Sequence, residues 1–450
     1  MLDDSTKSDP NALTDYAEDA GWIDAAPELV TRRRFLAIAE ALGGTAALGT
    51  LAGCTGGSGG GGGSPTATQT KTEASKTATQ TKSTPTTSKP ANLETVKLAY
   101  VPAGASAPIW VADHFGIFAD KGIKIKATTS VSGSKATAQL ATGQLDIVSG
   151  AIGASTFNAL ANDIPIELSA DLASSTPGLP IGNRYWIKKE LYTDGMTMDD
   201  IKGPVTVGEN APASVGEYEL ARTLSIHDNL SWDDVNVKFM PFPQMISGMA
   251  SGAIDIAHQI DPLGPIMGQK LGAKFLEYSN RPTPQLQVAG LIVGGPFKNQ
   301  RPDIAQKFHE AYILGIRKYY EMGGPENDTI AKVVADQLGN PVSSIKTSIP
   351  YFHNKNGLLW EDNIMDQQDY MACQGYIKTK VAKKDIFAND LMNAALDVVG
   401  AVPKSEERVG KKVFDEWKSN SPNPSDWPPL ASQRLPAKFP NDKVCGHPLT

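Results

Sequence analysis

The 450-residue chain is short of the residues that build reactive or stapled sites. Its three cysteines, Cys54, Cys373 and Cys445, are too few and too scattered for a disulfide scaffold or a structural zinc site. Six histidines are thinly spread, without metal-ligand spacing, and no paired carboxylates or nucleophile-and-base set stands out. No catalytic residue, metal or cofactor is therefore expected. Positive charge is also in deficit, with 42 Lys and Arg against 49 Asp and Glu and a formal net charge of -7. Nucleic acid is set aside as a partner, because its binders usually carry a basic face that neutralises phosphates. A long apolar run is missing too. The weakly apolar stretch after Arg34 is broken by Glu40, Thr45, Thr50 and four glycines, whereas a spanning helix needs about 20 predominantly apolar residues. What remains, 40% hydrophobic and 20% charged residues, suffices for one or two ordinary domains with appendages.

Near the start, Thr31-Arg32-Arg33-Arg34-Phe35-Leu36 leads into that Ala-, Gly- and Leu-rich stretch, which ends in Leu51-Ala52-Gly53-Cys54. The order of basic region, short apolar region and small residues resembles a twin-arginine export signal joined to a lipobox, with Arg32 and Arg33 as the export pair. The resemblance implies that Cys54 carries diacylglyceryl and becomes the mature N-terminus, since two acyl chains suffice for stable attachment to the cell membrane, facing outward. Residues 1–54 then form the signal. Residues 55–92, a glycine run followed by Thr, Ser, Lys and Ala, cannot bury enough apolar surface to offset chain entropy and read as a disordered stalk. Gly56-Gly57-Ser58-Gly59-Gly60 matches the serine-hydrolase elbow only formally, because no strand precedes it and no helix follows.

From Thr95 the texture changes to short apolar runs alternating with helix-length segments. Val96 to Val101 reads as a strand, Pro108 to Phe115 as a helix, and Ile123 to Thr129 as an alternating strand. Ser134 caps a helix that stops at Gly143, and Leu145 to Ser149 is a third strand, completing a βαβαβ unit. A second unit begins at Pro204. Its best-kept piece, Met249-Ala-Ser-Gly-Ala-Ile-Asp255-Ile256, repeats Leu140-Ala-Thr-Gly-Gln-Leu-Asp146-Ile147. Such a repeat implies two similar lobes with mostly parallel sheets flanked by helices. Gln287 to Val293 is an apolar strand, and the helices from Pro302 to Val399 would return to the first lobe. Two crossing segments, near 180–187 and 287–293, would form the hinge of a clamshell. Lobe 1 thus takes 93–183 and 287–420, lobe 2 takes 184–286, and 421–450 is a Pro-rich tail in which Cys445 could bridge to Cys373.

In open parallel sheets ligands sit beyond the carboxyl ends of the strands, where helix N-termini offer unpaired N–H groups. That rule selects Ala103, Gly104, Ser106, Ser132, Gly133, Ser134, Gly150 and Ala151 in lobe 1. In lobe 2 it selects Asn210, Ser214, Gln244, Gln259 and Asp261. Ser134 and Ser214 equally suit plain helix caps. Lys135 and Arg184 would suit an anionic ligand, while surface solvation also accounts for them. His258 could donate to a ligand or hold a structural bond. Tyr100 and Trp110 could stack on a planar ring or pack in the core.

The run Leu98-Ala-Tyr-Val-Pro, then Pro108-Ile-Trp-Val-Ala, Phe115-Gly-Ile-Phe, the Leu140 to Ile147 repeat, Met198 to Lys202, and Ser247 to Asp255 resemble the nitrate, sulfonate and taurine family of binding proteins for ATP-driven importers, which includes binders of thiamine pyrimidine precursors. The order and spacing over about residues 95–400 carry the resemblance. It implies an α/β, type II periplasmic-binding-protein-like clamshell with a small polar solute in the cleft, acting as a monomer and delivering to a permease and ATPase complex. Pyrimidine-synthesising relatives carry a dense cysteine cluster, which this chain lacks. An exported enzyme or a sensory receptor on the same fold are the alternatives.

Overall fold

A computed structural model describes residues 92–129, 133–227 and 229–421. The expectations placed on Arg32, Arg33, Cys54, Ser132 and Cys445, on the stalk and on the tail after Ser421 lie outside them, as do the side chains of Gly133, Ser134 and Lys135. Among the described residues no helix is long and apolar enough to cross a membrane.

The first βαβαβ unit runs β1 (Glu94–Tyr100), α1 (Ala107–His114), α2 (Ile117–Asp120), β2 (Ile123–Thr129), α3 (Gly133–Ala141) and β3 (Ile147–Ala151). In β1 the alternate residues Val96, Leu98 and Tyr100 are buried, and Pro108 opens α1, where a missing N–H costs nothing. Then come α4 (Ala154–Ala161) and β4 (Ile166–Ser174), after which the chain crosses to a second sheet at β5 (Arg184–Ile187). The second unit follows as β6 (Val205–Glu209), α5 (Val215–Ile226), β7 (Val235–Phe239), α6 (Phe242–Ala250) and β8 (Ile256–Gln259). Helix α7 (Leu263–Leu271) and β9 (Lys274–Tyr278) lead back to β10 (Gln287–Gly294) in the first sheet. The remaining helices are α8 (Gly295–Gln300), α9 (Pro302–Glu321), α10 (Asp328–Leu338), α11 (Val342–Lys346), α12 (Glu361–Cys373), α13 (Asn389–Val399) and α14 (Lys411–Asn420). Helices α9 and α10 pack on α1, and α13 packs on α9 and β4, which places the C-terminal half on the first lobe. Cys373 is disulfide-bonded, and the other two cysteines lie outside the described residues.

Strand orders β2-β1-β3-β10-β4 and β7-β6-β8-β5-β9 are the same order twice. The sequence repeat has a structural role in each copy. The Lys97 N–H donates to Asp146 Oδ2 at 2.8 Å, and the Asp146 N–H returns a bond to the Lys97 carbonyl at 2.9 Å. Asp255 makes the same pair of bonds with Thr206, at 2.8 and 2.8 Å. Gly143 and Gly252, with φ of 69° and 73°, reverse the preceding helix in a conformation that costs other residues a Cβ clash.

The sheets are mostly parallel in strand direction, as expected, with one reversed strand each: β10 runs antiparallel to both β3 and β4, and β5 to both β8 and β9. Parallel pairing is confined to the βαβαβ units; the strand that follows each crossing enters its sheet reversed. The crossings lie slightly earlier than expected, since Arg184–Ile187 and Gln287–Gly294 are buried strands of different sheets. The crossings are the segments just before them, 175–183 and 279–286. These are tied together: the Ser175 N–H donates to the Leu286 carbonyl at 2.8 Å, the Leu286 N–H to Ser175 Oγ at 2.7 Å, and Asn280 Nδ2 to the Leu179 carbonyl at 2.9 Å. A third segment straps the crossing, with Phe352 bridged to Ser174 and the Tyr351 hydroxyl donating to Asn183 Oδ1 at 2.7 Å.

Candidate functional site

The carboxyl ends of the two sheets' parallel strands face each other. After β3, Gly153 forms an antiparallel bridge with Ser214 at the end of the β6–α5 loop, and the Ala154 N–H donates to the Ala213 carbonyl at 3.0 Å. After β1, Gly104 and Ala107 share a small cavity of about 40 Å3 with Asp261 and Pro262, which follow β8, and with Tyr351. Since β1 corresponds to β6 and β3 to β8, the two contacts are related by a pseudo-twofold axis through the cleft. Gly153 is needed for the approach, because a Cβ there would lie 2.7 Å from the Ala213 carbonyl oxygen. Gly153→Ala is therefore expected to hold the lobes apart and raise the radius of gyration, with a change in melting temperature of under about 3 °C. An unchanged radius would show that this approach does not set the distance between the lobes.

The sequence-selected residues fall into two groups. Ala103, Gly104, Gly150, Ala151, Asn210 and Gln244 lie at strand or helix ends and are at least partly exposed. Those of the other group are engaged within the protein. Ser106 Oγ lies 3.1 Å from Ser149 Oγ in the lobe 1 interior. Ser214 caps α5: its Oγ accepts from the Glu217 N–H at 3.4 Å and donates to the Ala211 carbonyl at 2.7 Å. Gln259 donates to the Phe242 carbonyl at 2.7 Å and accepts from the Ile260 N–H at 3.0 Å.

Arg184 lies inside the protein. It is fully buried, pairs with Asp261, and its guanidinium lies over the rings of Trp186 and Tyr278 at 5.6 and 5.7 Å. Asp261 Oδ2 also accepts from the Ile349 N–H at 2.7 Å, so the pair holds the third strap to lobe 2. His258 is likewise internal, with Nδ1 2.7 Å from Glu209, Nε2 3.2 Å from Glu219, and Tyr185 stacked on the ring. Asn183 Nδ2 donates to Glu219 at 3.0 Å, which joins this cluster to the 175–183 crossing. Tyr100 and Trp110 pack edge to face at 5.7 Å, away from the cleft.

A seam missed in the sequence runs between α5 of lobe 2 and α12 of lobe 1. Arg222 and the Tyr218 hydroxyl both donate to Asp366 at 2.5 Å, Asn363 Nδ2 donates to the Tyr218 hydroxyl at 3.0 Å, and the Tyr370 hydroxyl donates to Glu217 at 2.7 Å. These partners stand up to 153 residues apart in the chain, so no local pattern reveals them.

The buried histidines give stability a two-sided pH dependence. Burial alone would lower the His258 pKa, but Glu209 and Glu219 raise it from 6.5 to about 10. His227 is raised the same way, against its burial, by Glu277 and Asp199. Their stabilisation is complete below the unfolded value of 6.5 and is lost as pH rises from there, through about 10 for His258. Burial instead lowers His309 to about 4 and His353 to about 3. Their contribution is present above 6.5 and is lost as pH falls toward those values. Urea melts from pH 4 to 10 should peak near 6.5, and His258→Gln should flatten the alkaline limb. A flat profile from 7 to 10 would contradict the charged cluster.

The periplasmic nitrate-binding protein NrtA from Synechocystis superposes with a TM-score of 0.58 at 13% identity, covering 70% of this chain and 91% of that one. The ligand-binding component of an ABC-type import system from Staphylococcus aureus, solved with zinc bound, gives 0.56 at 16% identity, covering 67% and 99%. The periplasmic aliphatic sulphonate-binding protein SsuA from Escherichia coli gives 0.50 at 15%, covering 65% and 91%. The fold is that of a periplasmic binding protein. In this periplasmic-binding-protein fold, residues 89–275 also match the model of the NMT1-like family. A stretch of 170 residues is 28% identical to the bicarbonate transport ATP-binding protein CmpC of Synechocystis, covering 36% of this chain. The chain spans a quarter of that relative's length.

Proposed function

We propose that this chain is an exported, lipid-anchored solute-binding protein that takes a small polar molecule between its lobes and delivers it to an ABC importer. The observation that carries the reading is the pseudo-twofold cleft, in which the strand ends of two like-ordered sheets meet beside a paired hinge. Ligands of open α/β sheets bind at such strand ends. The partly exposed group, Ala103, Gly104, Gly150, Ala151, Asn210 and Gln244, supplies the direct contacts. Arg184, Asp261, Gln259, Ser106 and Ser214 hold the walls. Names of the similar proteins point to nitrate, sulfonate and bicarbonate, and the sequence adds a pyrimidine-like ring.

A thermal-shift panel of nitrate, taurine, bicarbonate and an aminopyrimidine tests this reading. A true solute at 100 times its Kd adds about 2.7 kcal/mol to stability. Asn210→Ala should weaken that solute's binding by roughly 0.5 to 3 kcal/mol if a buried hydrogen bond is lost. A panel without any shift at millimolar concentration would remove these solutes from the reading.

A further inference from the structure

A second cavity, of about 490 Å3, opens on lobe 1 and is lined by no residue of lobe 2. Its floor is the shared face of two neighbouring strands, Leu98 and Tyr100 of β1 beside Ile125 and Ala127 of β2. One wall is a single face of α1, with Trp110 and Asp113, and the other a single face of α10, with Lys332 and Val333. The volume lies within the range of small-molecule sites, about 300 to 1,000 Å3.

The charges at the rim are unequal. Asp336 pairs with Lys332 at 2.8 Å, and Asp328 pairs with Lys346 at 2.5 Å. Among the described residues the Asp113 carboxylate has no such ion-pair partner, and the neighbouring His114 acts on it electrostatically. Asp113 is exposed at the rim, and the neighbouring protein mass still raises its pKa above the ordinary aspartate value by desolvation, opposed by His114. Tyr100 and Trp110, set edge to face, give the same trough two aromatic rings, and ring faces attract cations.

We infer that this trough binds a small organic ammonium compound, its apolar body on the β1–β2 floor and its charged head between Asp113 and the Tyr100–Trp110 pair. The site is separate from the cleft and does not need lobe closure. Benzylammonium is a suitable probe, with benzyl alcohol and benzoate as neutral and anionic matches, titrated calorimetrically into the full chain. The expected result is saturable one-to-one binding of benzylammonium, at least tenfold weaker binding of benzyl alcohol, and none of benzoate. Asp113→Asn should weaken benzylammonium at least tenfold with an unchanged melting temperature, and Asp113→Glu should restore most of it. Benzylammonium that fails to saturate, benzoate that binds equally well, or an Asp113→Asn chain that binds as before would each overturn the inference.

Discussion

Replacing Arg184 with Met should cost about 3 to 5 kcal/mol of stability, the usual range when one member of a buried ion pair is removed. Asp261 would then be a buried carboxylate facing no guanidinium, and the Tyr278 and Trp186 rings would lose their cation. For a domain of this size the melting temperature should fall by roughly 10 °C. Arg184→Met combined with Asp261→Asn should recover most of the loss, because the amide oxygen still accepts from the Ile349 N–H while no charge is left unpaired. The same series separates two roles for Arg184. If it anchored an anionic solute, the double variant would stay folded and lose binding; as a wall element, it should bind within a few-fold of the parent.

The second large effect concerns the α5–α12 seam. Asp366→Ala removes the acceptor shared by Arg222 and Tyr218, leaving a mostly buried guanidinium without its carboxylate. Hydrogen bonds to charged groups contribute about 1.5 to 3 kcal/mol each. Losing them only where the lobes touch should move the population toward an open form by roughly 10- to 100-fold. The radius of gyration should rise, and apparent solute affinity should fall by the same factor as the competent fraction. Arg222→Ala with Asp366→Ala should be less than additive, since both changes break one contact. An unchanged radius and affinity would show that the seam does not hold the lobes.

The parts legible in the sequence were those written locally. Gly143 and Gly252 end helices in both units, and Asp146 and Asp255 anchor β3 and β8, so the repeat marked real elements in register. Cap chemistry at Ser214 was also readable, and there the simple capping role accounts for the contacts seen. What escaped depends on distance in the chain. The partner of Arg184 lies 77 residues away and that of Arg222 lies 144 away. The reversed strands β5 and β10 read as hinge because each follows a crossing, and their apolar runs look alike whether buried in a parallel or an antiparallel sheet. Gly153 gave no signal of its own; its need for a missing Cβ comes from Ala213 in the other lobe.

The most direct test of a solute held between two lobes is small-angle scattering on the chain with and without the panel compound that raises its melting temperature. The expected result is a smaller radius of gyration with solute, a decrease that Gly153→Ala reduces. A compound that binds tightly while leaving the scattering of both proteins unchanged would contradict closure of the lobes around it.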